Sequence, residues 1–141
     1  MIFTTAIIIF LFWMPRTSTQ AIEYLESQNL ISMHIDLDVG HEIILNFRLA
    51  NNTDRIYMSG YRFSLYHRTR TGWVLVPFRE NRGAFFALGF SIFPNEYHEG
   101  VINLSDSFHN LPYGEYRIIK RAHLINDHDN PVKVVGQFEF R

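Results

Sequence analysis

Cysteine is absent from all 141 residues. Its absence excludes disulfides, zinc–thiolate sites, CxxC redox motifs and cysteine nucleophiles together. It also excludes the lipid-modified cysteine of a bacterial lipoprotein, so an exported form of this chain relies on its packed core. Net charge is nearly absent too: 13 Lys and Arg against 14 Asp and Glu leave −1, which argues against a general nucleic-acid binder. There is no internal repeat, no low-complexity run and no linker to split the chain, whose length fits one domain. What is abundant is aromatic: Phe alone occurs 13 times, a bias that favours strands over helices.

The one long hydrophobic run lies at the start. Ile2 to Met14 is apolar apart from Thr4 and Thr5, then Pro15 breaks any helix. The run is shorter than the ~20 apolar residues that span a bilayer. Thr19 and Ala21 fit the small-residue pattern of a signal peptidase site. Residues 1 to 21 therefore read as a signal peptide or a membrane anchor, with no Lys or Arg ahead of the apolar run. Residues 22 to 32 read as a polar lead-in, and the domain proper as 33 to 141.

Beyond that point the period is two. Met33, Ile35, Leu37 and Val39 share one face, opposite His34, Asp36 and Asp38. Ile43, Leu45, Phe47 and Leu49 repeat the pattern, which is that of half-buried strands. Asn51 to Asp54 is a turn cluster. Tyr61, Phe63 and Leu65 form one face of the next strand, and Trp73 and Leu75 share a face after the hairpin at Gly72. Pro77 marks an edge strand or its end. The stretch 84 to 93 reads as strand, wide loop or both, with Phe85, Phe86, Phe90 and Phe93 expected in the core, or in a partner-binding patch if exposed. Ile102 and Leu104 form an inward pair, residues 126 to 131 a turn, and Val134, Phe138 and Phe140 a last inward face. These features predict an all-β antiparallel sandwich of about seven or eight strands behind an apolar N-terminal segment.

The segment "NLPYGEYRII" suits the entry to the penultimate strand of a Greek-key sandwich. There Gly114 permits the bend, Leu111 plugs the core, and Tyr116 bonds its hydroxyl back to the crossing backbone as a tyrosine corner.

"LPYGEYRIIK" followed by a terminal "VVGQFEF" resembles the C-terminal signature of bacterial immunoglobulin-like domains of exported or cell-surface proteins. "LNFRLANNTDRIYMSGYRFSLYHRTRTGWVLVPF" is similar to the upstream half of that family. The likeness covers roughly residues 33 to 141 and departs at Pro112-Tyr113 and at the aromatic insert 84 to 93. It implies an immunoglobulin-like β-sandwich at the cell surface and no catalytic residues. A second resemblance, to bacterial proteinase-inhibitor domains, rests on the Phe47-x-Leu49-x-Asn51-Asn52-Thr53 strand and the Leu-x-x-Gly-x-Tyr corner. It implies the alternative of protease binding through an exposed loop.

Seven histidines raise a metal question. His41-Glu42 and His98-Glu99 lack the second histidine of a zinc-protease helix, having Leu45 and Ile102 in its place. His34, Asp36 and Asp38 on one strand face, or Asp127, Asp129 and Asn130 in a polar loop, have oxygen and nitrogen donors for a hard cation. A solvated strand face and a hairpin turn account for them more simply. Ser91 lacks the closing glycine of a nucleophile elbow. No catalytic residue, metal or cofactor is assigned.

Charge is uneven: residues 48 to 82 hold seven arginines against Asp54 and Glu80. Arg62, Arg68 and Arg70 lie beside Tyr66 and Trp73, a candidate patch for gripping a cell-wall polymer or a carboxylate-rich protein face. The expectation is a non-catalytic extracytoplasmic module, secreted or attached to a membrane through residues 1 to 21, with a protein or cell-wall polymer as partner and no nucleic acid.

Overall fold

The computed structural model describes residues 30–85 and 87–141. The signal or anchor segment 1–21, the lead-in as far as residue 29, and Phe86 lie outside the described residues.

Alternation builds the first hairpin. Strand β1 (Ile31–Val39) pairs antiparallel with β2 (Ile43–Asn51), from Ile31 opposite Asn51 to Val39 opposite Ile43. Strand β1 starts at Ile31 rather than at Met33. Ile31, Met33, Leu45, Phe47 and Leu49 are buried, while His34, Asp36 and Arg48 face out. Later in the chain β7 (Tyr97–Asn103) joins the other side of β2, completing a three-stranded sheet in the order β1-β2-β7.

The second sheet grows on β8 (Gly114–Leu124). Strand β9 (Asp127–Phe140) pairs along one flank of it. On the other flank lie two short strands end to end. Strand β3 (Tyr57–Gly60) pairs with the C-terminal part of β8, and β4 (Ser64–Thr69) with its N-terminal part. Strand β5 (Gly72–Leu75) borders β4, and β6 (Gly89–Ile92) borders β3. Among the described residues there are thus nine strands in two antiparallel sheets, with one helical turn, α1 (Leu104–Ser107), capped by the Asn103 side chain. The inner faces pack Leu45, Leu49, Leu65, Ile92, Tyr116, Ile118 and Val134 into one dry layer. An aromatic cluster of Phe63, Phe78, Phe85 and Phe108 closes one end.

Two glycines permit close approach, one across neighbouring strands of the smaller sheet and one between the layers. The Phe47 ring lies where a β-carbon on Gly100 would stand, 2.2 Å from its Cζ. Gly136 leaves room for Met33 and Ile35 in the same way. The turn cluster is fixed by Asn51, buried at the end of β2. Its Nδ2 donates to the carbonyls of Arg55 and Ile92 at 2.7 and 2.9 Å, and its Oδ1 accepts from the Thr53 amide at 3.0 Å.

Three expectations are corrected. Tyr61 is not inward but 52% exposed, because the chain breaks between β3 and β4 and the alternation restarts at Phe63. Phe93 is 49% exposed, just past the end of β6, so the aromatic stretch divides: Phe85 and Phe90 pack against the core and Phe93 does not. Leu104 is buried with Ile102, as expected of that inward pair, and sits on the helical turn that follows β7. The polar run 126–131 is not a turn as a whole. The chain reverses at Ile125–Asn126, and a bulge between Ala122 and Leu124 lets β9 begin at Asp127. His128 to Asn130 are polar because that strand end is exposed.

Candidate functional site

Each strand of a sandwich gives every second side chain to solvent. On β4 Leu65 is buried and His67 stacks on Tyr116 inside, so Tyr66 and Arg68 face out. The register then composes an outer face. Arg68 lies opposite Trp73, Tyr66 lies between Leu75 and Arg117, and Arg117 lies opposite Gln137. The Arg117 guanidinium carbon sits 4.2 Å from the centroid of the Trp73 ring, and its Nε donates to Gln137 Oε1 at 3.1 Å. Arg68 donates to Glu115 at 2.8 Å. Tyr66, Arg68 and Trp73 therefore share one patch. Arg70 stands apart at the β4–β5 turn, and Arg62 stands at the β3–β4 break beside a small pocket that Tyr66 also lines.

Arg117 was missed in the sequence, yet its signal is there. Tyr116 is inward, so its neighbour must face out. The same rule, carried on through Ile118, turns Lys120 into the core. Lys120 is 1% exposed, and its Nζ donates to the carbonyls of Gly60 at 2.7 Å and Arg62 at 3.2 Å. Those carbonyls sit at the break, and the lysine supplies donors there. Its ammonium also lies 5.3 Å from the Phe47 ring centroid. Burial pulls its pKa down to about 8. His98, stacked on Phe90, is held below the usual histidine range by burial and then by the Lys120 charge.

Tyr116 is fully buried on β8, and its hydroxyl donates to the Pro112 carbonyl. Burial pushes its pKa up to about 12. Gly114 adopts φ +144°, and a β-carbon there would stand 2.9 Å from His67 Nε2. Leu111 packs half-buried on the core. These three residues hold the crossing between sheets and leave the outer face to others.

The three-stranded sheet has its own groove of about 420 Å³, lined among others by His34, Asp36, Asn46, Arg48, Glu99 and Val101. Arg48 spans it in part, bonding Glu99 at 2.7 Å and lying 4.1 Å from the Tyr97 ring centroid. Asp36 and Asp38 are exposed along β1. Asn130 donates to both carboxylate oxygens of Asp127, at 3.0 and 3.2 Å.

The strands fall in the pattern of an immunoglobulin-like sandwich. β1, β2 and β7 hold the places of A, B and E, and β4, β8 and β9 those of C, F and G. The model of the bacterial Ig-like domain family matches residues 27–137, and the chain belongs to that family. No curated protein matches the chain. Among solved structures, it is similar to the Pseudomonas fluorescens alkylpurine DNA glycosylase AlkC bound to DNA containing an abasic site analog. The two share 14% identity at a TM-score of 0.36, over 86% of this chain and 36% of that one.

Proposed function

We propose that this chain is a non-catalytic immunoglobulin-like module working outside the cytoplasmic membrane, where its outer arginine–aromatic face binds an acidic polysaccharide of the cell surface. One observation carries the reading: Arg117 stacked on Trp73, flanked by Arg68 and Tyr66 on the same face. A planar guanidinium beside an indole offers an ion-pairing fork and an apolar platform together. A polymer of sugar rings bearing carboxylates or phosphates needs both. Membership of the bacterial Ig-like family supports a binding or supporting role rather than catalysis.

The inhibitor alternative needs an extended, freely presented loop. The connection after β5 is instead anchored over residues 76–85 through Phe78 and Phe85 against Phe63. The test is binding of the full chain to polygalacturonate and to neutral dextran by calorimetry. Saturable binding of the acidic polymer, lost in Trp73→Ala and Arg117→Gln, supports the proposal. Equal affinity for dextran, or none for the acidic polymer, removes it.

A further inference from the structure

The break between β3 and β4 has a second consequence on the outer surface. β3 last pairs with β8 at Ser59 opposite Ala122, and β4 resumes at Ser64 opposite Ile119. Lys120 and Arg121 on β8 thus have no strand rung on that flank. Lys120 turns inward to the break carbonyls. Arg121, next in the alternation, turns outward. A pocket of about 160 Å³ opens there, lined by Arg62 from the break, Arg121 from β8, Lys133 from β9, and the side walls Tyr66 and Ile119.

The charged side chains among the described residues that line this pocket are all cationic. Arg121 and Lys133 are direct cross-strand partners, a placement that repels when both carry the same charge. Arg62 adds a third cation, and no Asp or Glu is among the described residues that line the pocket. Neither Arg62 nor Arg121 forms an ion pair among the described residues. Lys120 lines the pocket too, its ammonium holding the carbonyls of Gly60 and Arg62, two further lining residues. On the same face Arg68 pairs with Glu115, and Arg117 lies on the Trp73 ring and bonds Gln137.

We infer that this pocket seats a single oxyanion, a carboxylate or phosphate carried by an acidic polysaccharide, between Arg62, Arg121 and Lys133. The inference rests on the polymer reading above and names where the polymer's charge lands. The pocket is too small to enclose a chain, so it takes one pendant group. Ser64 lines it, and Arg68 pairs with Trp73 four residues further along β4, about 13 Å away at ~3.3 Å per residue. An anion seated at one end places following sugar rings across Tyr66 toward the indole.

The experiment is a titration followed by backbone and arginine side-chain NMR. Its probes are inorganic phosphate, polygalacturonate and polyglycerol phosphate. They are applied to the full chain and to the Arg62→Gln/Arg121→Gln double variant, with folding checked by thermal melt. Phosphate is expected to shift the signals of Arg62, Arg121 and Lys133 in the parent. The double variant should bind phosphate and the preferred polymer at least about tenfold more weakly, the loss of one charge-assisted contact. Trp73→Ala should weaken the polymer and leave phosphate unchanged. The tighter of the two polymers identifies carboxylate or phosphate as the natural group. Phosphate binding without polymer binding supports the pocket and removes the polymer reading. Polymer binding that the double variant leaves unchanged overturns the pocket and keeps the reading. No phosphate shift at Arg62 and Arg121 overturns the pocket as well.

Discussion

Lys120 reaches through the sandwich interior to donate to the Gly60 carbonyl at 2.7 Å. The contact ties the middle of β8 to a point where its neighbouring strand has stopped. Lys120→Met keeps the length and apolar stem but leaves the part-buried carbonyls of Gly60 and Arg62 without that donor. The expected cost is about 1–3 kcal/mol at pH 7, the range for losing hydrogen bonds from a charged donor. Chemical denaturation of the two proteins at equal m-value measures it. An unchanged or higher stability shows that water serves the break equally well.

The same lysine sets a pH dependence. Its folded pKa is about 8, below the ordinary 10.5, so between those values the unfolded chain binds more protons than the folded one. Stability therefore rises with pH across that window. Tyr116 acts in the opposite sense. Its folded pKa is about 12 against 10.0, so stability it contributes below pH 10 is lost as pH climbs toward 12. The expected profile peaks near pH 10. Lys120→Met should flatten the rising limb and Tyr116→Phe the falling one, both read from urea midpoints at stepped pH.

Gly100→Ala asks whether the β2–β7 pair, where Phe47 lies opposite Gly100, tolerates one more methyl group. The new β-carbon meets the Phe47 ring at 2.2 Å, and overpacking of this kind costs ~1–3 kcal/mol. Pairing it with Phe47→Leu should return part of the loss, because the two sites share one volume. Strict additivity in the double variant would show the damage lies elsewhere.

Tyr116→Phe at neutral pH removes only the hydroxyl that bonds the Pro112 carbonyl. A loss of about 0.5–1.5 kcal/mol is expected. Gly114→Ala should cost more, since φ +144° and the 2.9 Å approach to His67 act together. Thermal melts rank the pair, and the reverse order contradicts the geometry.

Arg68→Gln separates binding from stability. Its ion pair with Glu115 is largely exposed, and such pairs contribute ~0–1 kcal/mol. The melt should hardly move while acidic-polymer affinity falls, and the loss should shrink as added salt screens the face.

The alternation that revealed β1, β2 and the end of β9 works because one side of each strand meets the core and the other meets water. It fails where the chain leaves the lattice. Tyr61 falls in phase with Phe63 on paper, but a break stands between them. Asp127 to Pro131 has turn chemistry yet continues a strand, since an exposed strand end asks little of its side chains. Of the residues grouped from the sequence, Arg62 stands at the break and Arg70 at the turn, while Tyr66, Arg68 and Trp73 share one outer face. Arg117 and Lys133 join it only through cross-strand register, which a linear reading does not contain. Lys120 is the instructive miss: a charge at an inward position reads as an error of phase until the carbonyls it satisfies are seen.

Strand β5 is short, ends at Leu75, and carries exposed Val74 on the rim of the larger sheet. A foreign chain that tried to zip onto that rim would meet Arg70 at one end and the amide-less Pro77 just past the other. This rim of the larger sheet thus resists self-templated growth into aggregates.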